Sequence, residues 1–364
     1  MFAGQSLPCG AELKNTFCLA TGHHAFLSHH IGNLENYETL RAFTEGIEHY
    51  RRLFAIDPAI VAYDLHPEYL STKYALELDG VELIGVRSII TRTSRPAWPT
   101  IEKRGRRSEL RSTVSAMEST RRCGAGNFWS LICRISNASG ILKMLRCPGV
   151  PSRSSSRGGW RLRTSTRFTV IRFRATWRLI QRNAWDWPLV VKLARAKINA
   201  PQTSSVGRLF DAVAAIVGIR DSINYEGQAA IELEQRAIES EHSGYDIDVP
   251  GDERLVVRGT DLIRAVVEDL RSVSEVGIIA ARFHNTLARI IGGVCRTIRE
   301  RRGLEVVALS GGVFQNMLLL SRTVARLEQD GFRLLTHSRV PTNDGGISFG
   351  QAAVAAARDR AREK

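Results

Sequence analysis

Three short strings place glycine, amide and carboxylate residues where they can do chemistry. SGGVFQN, Ser310 to Asn316, sets two glycines between the apolar run LEVVALS and the helix-like QNMLLLSRTVARLEQD. In such a turn backbone N–H groups can approach a phosphate or ribose closely, and a helix N-terminus favours an anion. The string is not a P-loop, which requires GK[ST]. VPTNDGGISFGQA holds Asp344 in a glycine turn just before a helix, where a carboxylate suits a hard divalent cation. YEGQAAIE, Tyr225 to Glu232, is a third glycine turn leading into a helix, shortly after Asp211 in GRLFDA. Each string also has a structural alternative. A Gly-Gly turn is more often architectural than nucleotide-binding, Asp344 can cap the last helix, and Asp211 can sit in a solvated ion pair. His49, His284 and His337 are expected at the surface or in packing. The pairs His23–His24 and His29–His30 lack the i, i+4 spacing of helical ligands and fall in a turn-rich region.

The elements that must position these strings alternate between strand and helix. ETLRAFTEGIEHYRRLF puts Leu40, Phe43, Ile47, Tyr50 and Phe54 on one helical face. IVAYDL is a short buried strand, Pro67 opens the next helix, and VELIGV is another strand. Later, GRLFDAVAAIVG, Asp261 to Arg271 and a run from Glu275 to about Arg301 are amphipathic helices. LEVVALS and FRLLTH are strands, and an alanine-rich helix near Ile347 to Ala361 closes the chain. The alternation predicts an α/β fold.

Between these patterned regions the composition changes. From Arg87 to Asp186 there are 20 Arg and 2 Lys against 3 Glu and 1 Asp, a net of +18. The whole chain of 364 residues carries +14, so the remainder is acidic at −4. All six tryptophans lie in or beside this stretch, and no periodicity runs through it. Basic residues interleaved with tryptophan suit single-stranded nucleic acid, which gives one function class, a noncatalytic nucleic-acid-binding protein using residues 87–186. No apolar run reaches membrane-span length and the N-terminus lacks an apolar signal core. Six scattered cysteines without a CxxC pair suggest neither disulfides nor a zinc knuckle, so a reducing cytoplasm is expected.

Taken together, ELKNTFCL, AFLSHHIGNLENYETLRAF, DLHPEYLST, INAPQTSSVGRLFDAVAAIVG, YEGQAAIELE, LSGGVFQN and VPTNDGGISFGQA closely resemble the C-terminal domain of the HypF family. Its members are carbamoyltransferases of [NiFe]-hydrogenase maturation. The resemblance covers residues 4–86 and about 189–356. It implies a two-lobed α/β fold similar to actin, Hsp70 and the sugar kinases. Residues 1–86 would form the N-terminal portion of the carbamoyltransferase domain, and 189–364 a nucleotide-binding lobe. The resemblance also implies that Asp211, Gly227, Gly311, Gly312 and Asn316 contact an adenylate, and that Asp344 is one ligand of a divalent metal, zinc or iron. The implied reaction moves a carbamoyl group from carbamoyl-adenylate, made from ATP and carbamoyl phosphate, to the C-terminal cysteine of HypE. The acylphosphatase, zinc-finger and YrdC-like regions of the family are expected upstream and are not in this sequence. A TsaD-like enzyme or a small-molecule O-carbamoyltransferase is the alternative within the same fold; the string AFLSHHIGNLENYETL argues against the former.

Family motifs missing from the patterned regions are HHHAH, FDGxGYGxDG, WGGEF and EPWRMA, and all are due where residues 87–188 lie. Back-translated and read one register over, SIITRTSRPAW becomes compatible with HHHAHIASCMA, and RSELRSTVSAMEST with VGVAFDGxGYGxD. AGNFWSL and SRGGWR likewise become compatible with WEFLVAD and PWRMA. Two compensating frameshifts, near Val86–Arg87 and in the 180s, account for this. A slipped GC-rich gene yields arginine, serine and tryptophan without selection for binding, so no specific nucleic acid is expected as a partner. Ser88 and Arg92 then stand where two histidine ligands belong, and Ser112 where a second carboxylate belongs. The expectation is a central segment that is misfolded or disordered, with open strand edges prone to aggregation, in a chain inactive as written.

Overall fold

The computed structural model describes residues 2–86, 205–247, 257–272 and 274–362, with 185, 189, 192, 193 and 255 in isolation. The expectations for the arginine-rich stretch therefore lie outside the described residues. Contacts divide the chain into two compact units. One comprises Met1–Ser130, Val306–Gln315 and Leu334–Lys364; the other comprises Leu131–Glu305 and Asn316–Arg333.

The first unit is a mixed five-stranded sheet covered on both faces. Its strands are β1 (Phe2–Pro8), β2 (Cys18–Gly22), β3 (His24–Leu27), β4 (Ile60–Asp64) and β5 (Glu82–Val86), ordered β3-β2-β1-β4-β5. β1, β2 and β3 pair antiparallel, whereas β1–β4 and β4–β5 are parallel. Parallel neighbours need crossovers, and helices α1 (Tyr37–Phe54) and α2 (Leu70–Leu76) supply them. α1 begins where Asn36 Oδ1 accepts the Thr39 N–H at 2.8 Å and ends at Ala55 in the left-handed region. Its Phe43 and Ile47, one turn apart, are buried with Leu7, Phe17, Leu19 and Val61. Phe17 meets Phe43 and Tyr50 edge to face at 6.1 and 5.1 Å.

The opposite face explains why Ile60, Val61 and Ala62 are all apolar. Ile60 and Ala62 alternate with Val61, and they pack with Ile84 and Val86 against Val354 and Ala355 of α8 (Ile347–Arg362). Ala352 of α8 packs on Cys18 and Ala20. Two expectations are corrected here. The turn-rich N-terminal region forms three strands, because CLATG and HAFL pair around the tight turn at Gly22, whose φ is +55°. Pro67 lies ahead of its helix, which starts at Leu70, after Tyr69 in extended conformation.

Two short strands, β6 (Val306–Ala308) and β7 (Arg333–Leu335), form a second sheet. Every helix of the second unit's described residues is amphipathic or buried: α3 (Val206–Ile216), α4 (Gln228–Arg236), α5 (Gly259–Arg271), α6 (Val276–Arg302) and α7 (Met317–Gln329). α6 is the long central element, with Ile279, Phe283, Leu287, Ile290 and Val294 buried. Phe210 of α3 meets Phe283 edge to face at 5.0 Å. Asp269 of α5 holds Arg282 of α6 through both oxygens at 2.9 and 3.0 Å. Among the described residues no helix is long and apolar enough to cross a membrane.

Candidate nucleotide site

The second unit carries Asp211, Gly227 and Asn316. Asn316 is the N-cap of α7: its Oδ1 accepts the Leu319 N–H at 2.8 Å. Its Nδ2 donates to Nε2 of His284 at 3.0 Å. His284 is fully buried on α6, and its Nδ1 lies 2.7 Å from the Ala280 carbonyl oxygen. Burial pushes the imidazole pKa down to about 4, and the Arg322 guanidinium lowers it further against the hydrogen bond to Ala280. His284 is thus a core residue, as expected, but a bonded one. Glu234 of α4 accepts the Leu318 N–H at 2.9 Å. Two of α7's first-turn donors are therefore engaged within the protein, one of them by a carboxylate. That corrects the expectation of a ready anion seat at this helix start, because Glu234 repels a second negative group there.

Asp211 is buried on α3 and pairs with Arg208 at 3.0 Å, so its ion pair is largely desolvated instead of solvated. Gly227 caps α4 with φ +83°, and no side chain bonds that helix start. Empty space surrounds its missing Cβ, so the backbone conformation is what selects glycine. Behind it Gln228 accepts the Asn224 N–H at 2.7 Å and donates to Glu232, whose carboxylate takes two bonds from Arg220 at 2.6 and 2.8 Å. Glu232 is accordingly held below the usual carboxylate range, first by Arg220.

The first unit carries Gly311, Gly312 and Asp344. Gly311 has φ +112°, and its N–H donates to the Thr342 carbonyl at 2.9 Å and hydroxyl at 3.1 Å. That N–H is already committed to protein acceptors. Gly312 shows no left-handed φ, and a Cβ there would meet only ordinary contacts at 3.8 and 3.9 Å. Ser310 bonds Nε2 of His337 at 2.9 Å, and burial lowers that imidazole's pKa.

Asp344 opens a short turn ahead of α8, and the capping role falls to its neighbour: Asn343 Oδ1 accepts the Gly345 N–H at 2.9 Å. The turn is tied to the loop between β1 and β2. Thr16 Oγ1 donates to the Gly345 carbonyl at 2.8 Å and lies 2.7 Å from Ser348 Oγ. Gln351, fully buried, bonds both the N–H and the carbonyl of Gly10 at 2.8 and 3.0 Å.

Close to this turn lies a set of side chains to which local pattern assigns no role. Tyr69 is pushed above the usual phenol range, first by burial and then by Asp64, Asp344 and Glu12. His66 stacks on Tyr69 at 4.2 Å, and its N–H donates to Asp64 at 2.8 Å. Glu12 accepts the Leu70 N–H at 2.7 Å, and burial raises its pKa. DLHPEY, with two acids, a histidine and a tyrosine at a strand end, is the signal that could have found them. Among the described residues no group of three or more His, Cys, Asp or Glu is placed to hold a metal ion. Asp344 alone does not furnish the roughly three protein ligands that catalytic metals take. Cys9, Cys18 and Cys295 are buried thiols, the latter two with pKa pushed up to about 12 by burial, which marks them as packing residues.

Comparison with known proteins gives this geometry its class. A solved HypF of T. kodakarensis superposes with a TM-score of 0.74 over 99% of this chain and 48% of that one, at 21% identity, which concerns the fold alone. A crystal structure of full-length HypF in a phosphate- and nucleotide-bound form superposes with a TM-score of 0.79, at 30% identity, over 98% of this chain and 47% of that one. The family description "HypF Kae1-like domain" matches residues 3–88, and "Carbamoyltransferase, Kae1-like Domain, second subdomain" matches 131–351.

The chain belongs to the HypF Kae1-like carbamoyltransferase domain family. It is 32% identical to the carbamoyltransferase HypF of Rhodobacter capsulatus, across 98% of this chain and 47% of that protein. It is 29% identical to HypF2 of Cupriavidus necator, across 97% and 46% respectively. The chain thus spans about half the length of these curated relatives. A shorter HypF homolog of Cupriavidus necator is 28% identical, across 96% of this chain and 91% of that protein.

Proposed function

We propose that this chain is a carbamoyltransferase domain of the HypF type, acting in the cytoplasm on an adenylated carbamoyl donor. The observation that carries the reading is the pair of family matches, in order along one chain, joined to likeness at 30% identity with a relative solved with nucleotide bound. In this reading Asp211, Gly227, Gly311, Gly312 and Asn316 contact ATP or carbamoyl-adenylate. Gly311 and Gly312 serve by close backbone approach, and Asn316 by its carboxamide.

The transfer forms a bond between an acceptor thiolate sulfur and the carbamoyl carbon. The bond from that carbon to the adenylate phosphate oxygen breaks, and AMP departs with the electron pair. The acceptor is the C-terminal cysteine of HypE. A divalent metal, zinc or iron, belongs to the family reading with Asp344 as one ligand. The described residues do not complete its ligand set.

The same reading holds that residues 87 to the 180s are written in a slipped register. The first family match ends at residue 88, beside the proposed slip, while the second spans 131–351 and so takes in the latter part of the stretch. The test supplies carbamoyl-adenylate and HypE to the chain as written and to a version with the register restored, and follows the mass of the HypE tail. Transfer by the restored chain alone is expected. Transfer by both overturns the inactivity of the chain as written, and transfer by neither overturns the activity. Transfer to a small hydroxyl compound in place of HypE moves the assignment to an O-carbamoyltransferase.

A further inference from the structure

The bond between His284 and Asn316 has a direction that the tautomer fixes. The Ala280 carbonyl offers only lone pairs, so His284 must donate from Nδ1, and the neutral ring then presents Nε2 as an acceptor. Burial keeps the ring neutral throughout the physiological range. Asn316 must answer with its amide nitrogen, and that choice turns Oδ1 toward the Leu319 N–H. A flipped carboxamide would set Oδ1 against the lone pair of Nε2 and Nδ2 against an N–H. Three hydrogen bonds therefore run in one sense, from Leu319 through Asn316 and His284 to Ala280. Phe210 and Phe283 hold the ring edge to face at 5.2 and 6.0 Å, so the imidazole has no second orientation to adopt.

We infer that His284 is a positioning residue for the nucleotide site: it locks the Asn316 carboxamide so that its remaining amide hydrogen is offered to the bound nucleotide as a donor. This rests on the proposed nucleotide contact of Asn316. It deepens that contact by giving its sense: the ligand group facing Asn316 is a neutral acceptor, such as a hydroxyl oxygen or a ring nitrogen. His284 does not itself touch the ligand in this arrangement.

The experiment measures ADP binding to the full chain by calorimetry, beside the thermal midpoint, for the parent and for His284→Gln, His284→Asn and His284→Phe. Gln can set an acceptor oxygen near the place of Nε2, whereas Asn reaches only the place of Nδ1 and Phe has no acceptor. One hydrogen bond of this kind is worth about 1 kcal/mol, and a freed buried amide adds to its loss, so Asn and Phe are expected to weaken ADP binding about tenfold. Gln is expected to stay within about threefold of the parent at a similar thermal midpoint. Where His284→Phe does not fold, the Gln and Asn pair alone decides. Equal ADP affinity in Gln, Asn and parent overturns the positioning role while leaving the nucleotide reading intact. A parent chain that binds no ADP overturns the nucleotide reading, and the inference with it.

Discussion

Replacing Gly10 by alanine tests how the Asp344 turn is held. Gly10 has φ +74°, a region that costs a residue with a Cβ about 1 kcal/mol. The new Cβ would fall on the Thr16 carbonyl oxygen, 3.3 Å from its carbon and 3.1 Å from Asn15 Nδ2. Backbone lies on that side, so the loop must move, at an overpacking cost of about 2 kcal/mol. Movement pulls Gly10 off Gln351, to which it makes bonds of 2.8 and 3.0 Å, at about 1 kcal/mol each. The sum is about 5 kcal/mol, or a fall in thermal midpoint of roughly 10–20 °C for a unit of this size. Gly80→Ala is the matched control. Its φ is +71° in the same unit, but nothing lies within 4 Å of its Cβ, so only the conformational cost of about 1 kcal/mol applies. Differential scanning calorimetry on both variants, with hydrogen exchange over residues 9–16 and 344–351, reads the difference. A Gly10→Ala midpoint no lower than that of Gly80→Ala would refute the reasoning.

Two further outcomes follow from the same geometry. The folded His284 pKa of about 4 lies below its ordinary 6.5, so its contribution to stability is complete above pH 6.5 and is lost as pH falls toward 4. That contribution is about 3 kcal/mol, and urea titrations of the parent and His284→Gln at pH 7 and pH 4.5 should show a steeper acid loss in the parent. Asp269→Ala strips the partly buried Arg282 of its bidentate partner and Tyr245 of a bond at 3.1 Å, and urea unfolding should show a loss of about 3 kcal/mol. Arg41→Ala, which removes an exposed pair with Glu45, should cost less than about 0.5 kcal/mol in the same measurement.

Much of the architecture is legible in local pattern. The spacing of Phe43 and Ile47 gives α1, and the alternating burial of Ile60, Val61 and Ala62 follows from a strand covered on both faces. The N-terminal strands escape local pattern because CLATG and HAFL are short and hold polar residues; their pairing with each other and β1 is what makes them strands. Asp211 is not recognisable as a buried residue because α3 is enclosed on nearly every side, which its position among alanines does not announce. In the candidate site, Asn316 before MLLL is a readable N-cap. Its partners Glu234 and His284 lie 84 residues from Leu318 and 32 from Asn316, and only the fold brings them together. The engagement of the Gly311 N–H by Thr342 is equally nonlocal, so a glycine turn that looks open in sequence is partly closed in space.

In the proposed reading a HypF-type domain is interrupted by a stretch written one register away. The base sequence of codons 87–98 tests it most directly, because the shifted reading fixes third bases that the protein leaves open. A slipped register requires Ile89 and Ile90 as ATC, Thr91 as ACG, Arg92 as CGC and a Ser88 codon ending in C, so that the neighbouring register spells the five residues HHHAH. Codons with other third bases at these positions, spelling no such string, would contradict it and make the arginine-rich stretch a genuine part of the protein.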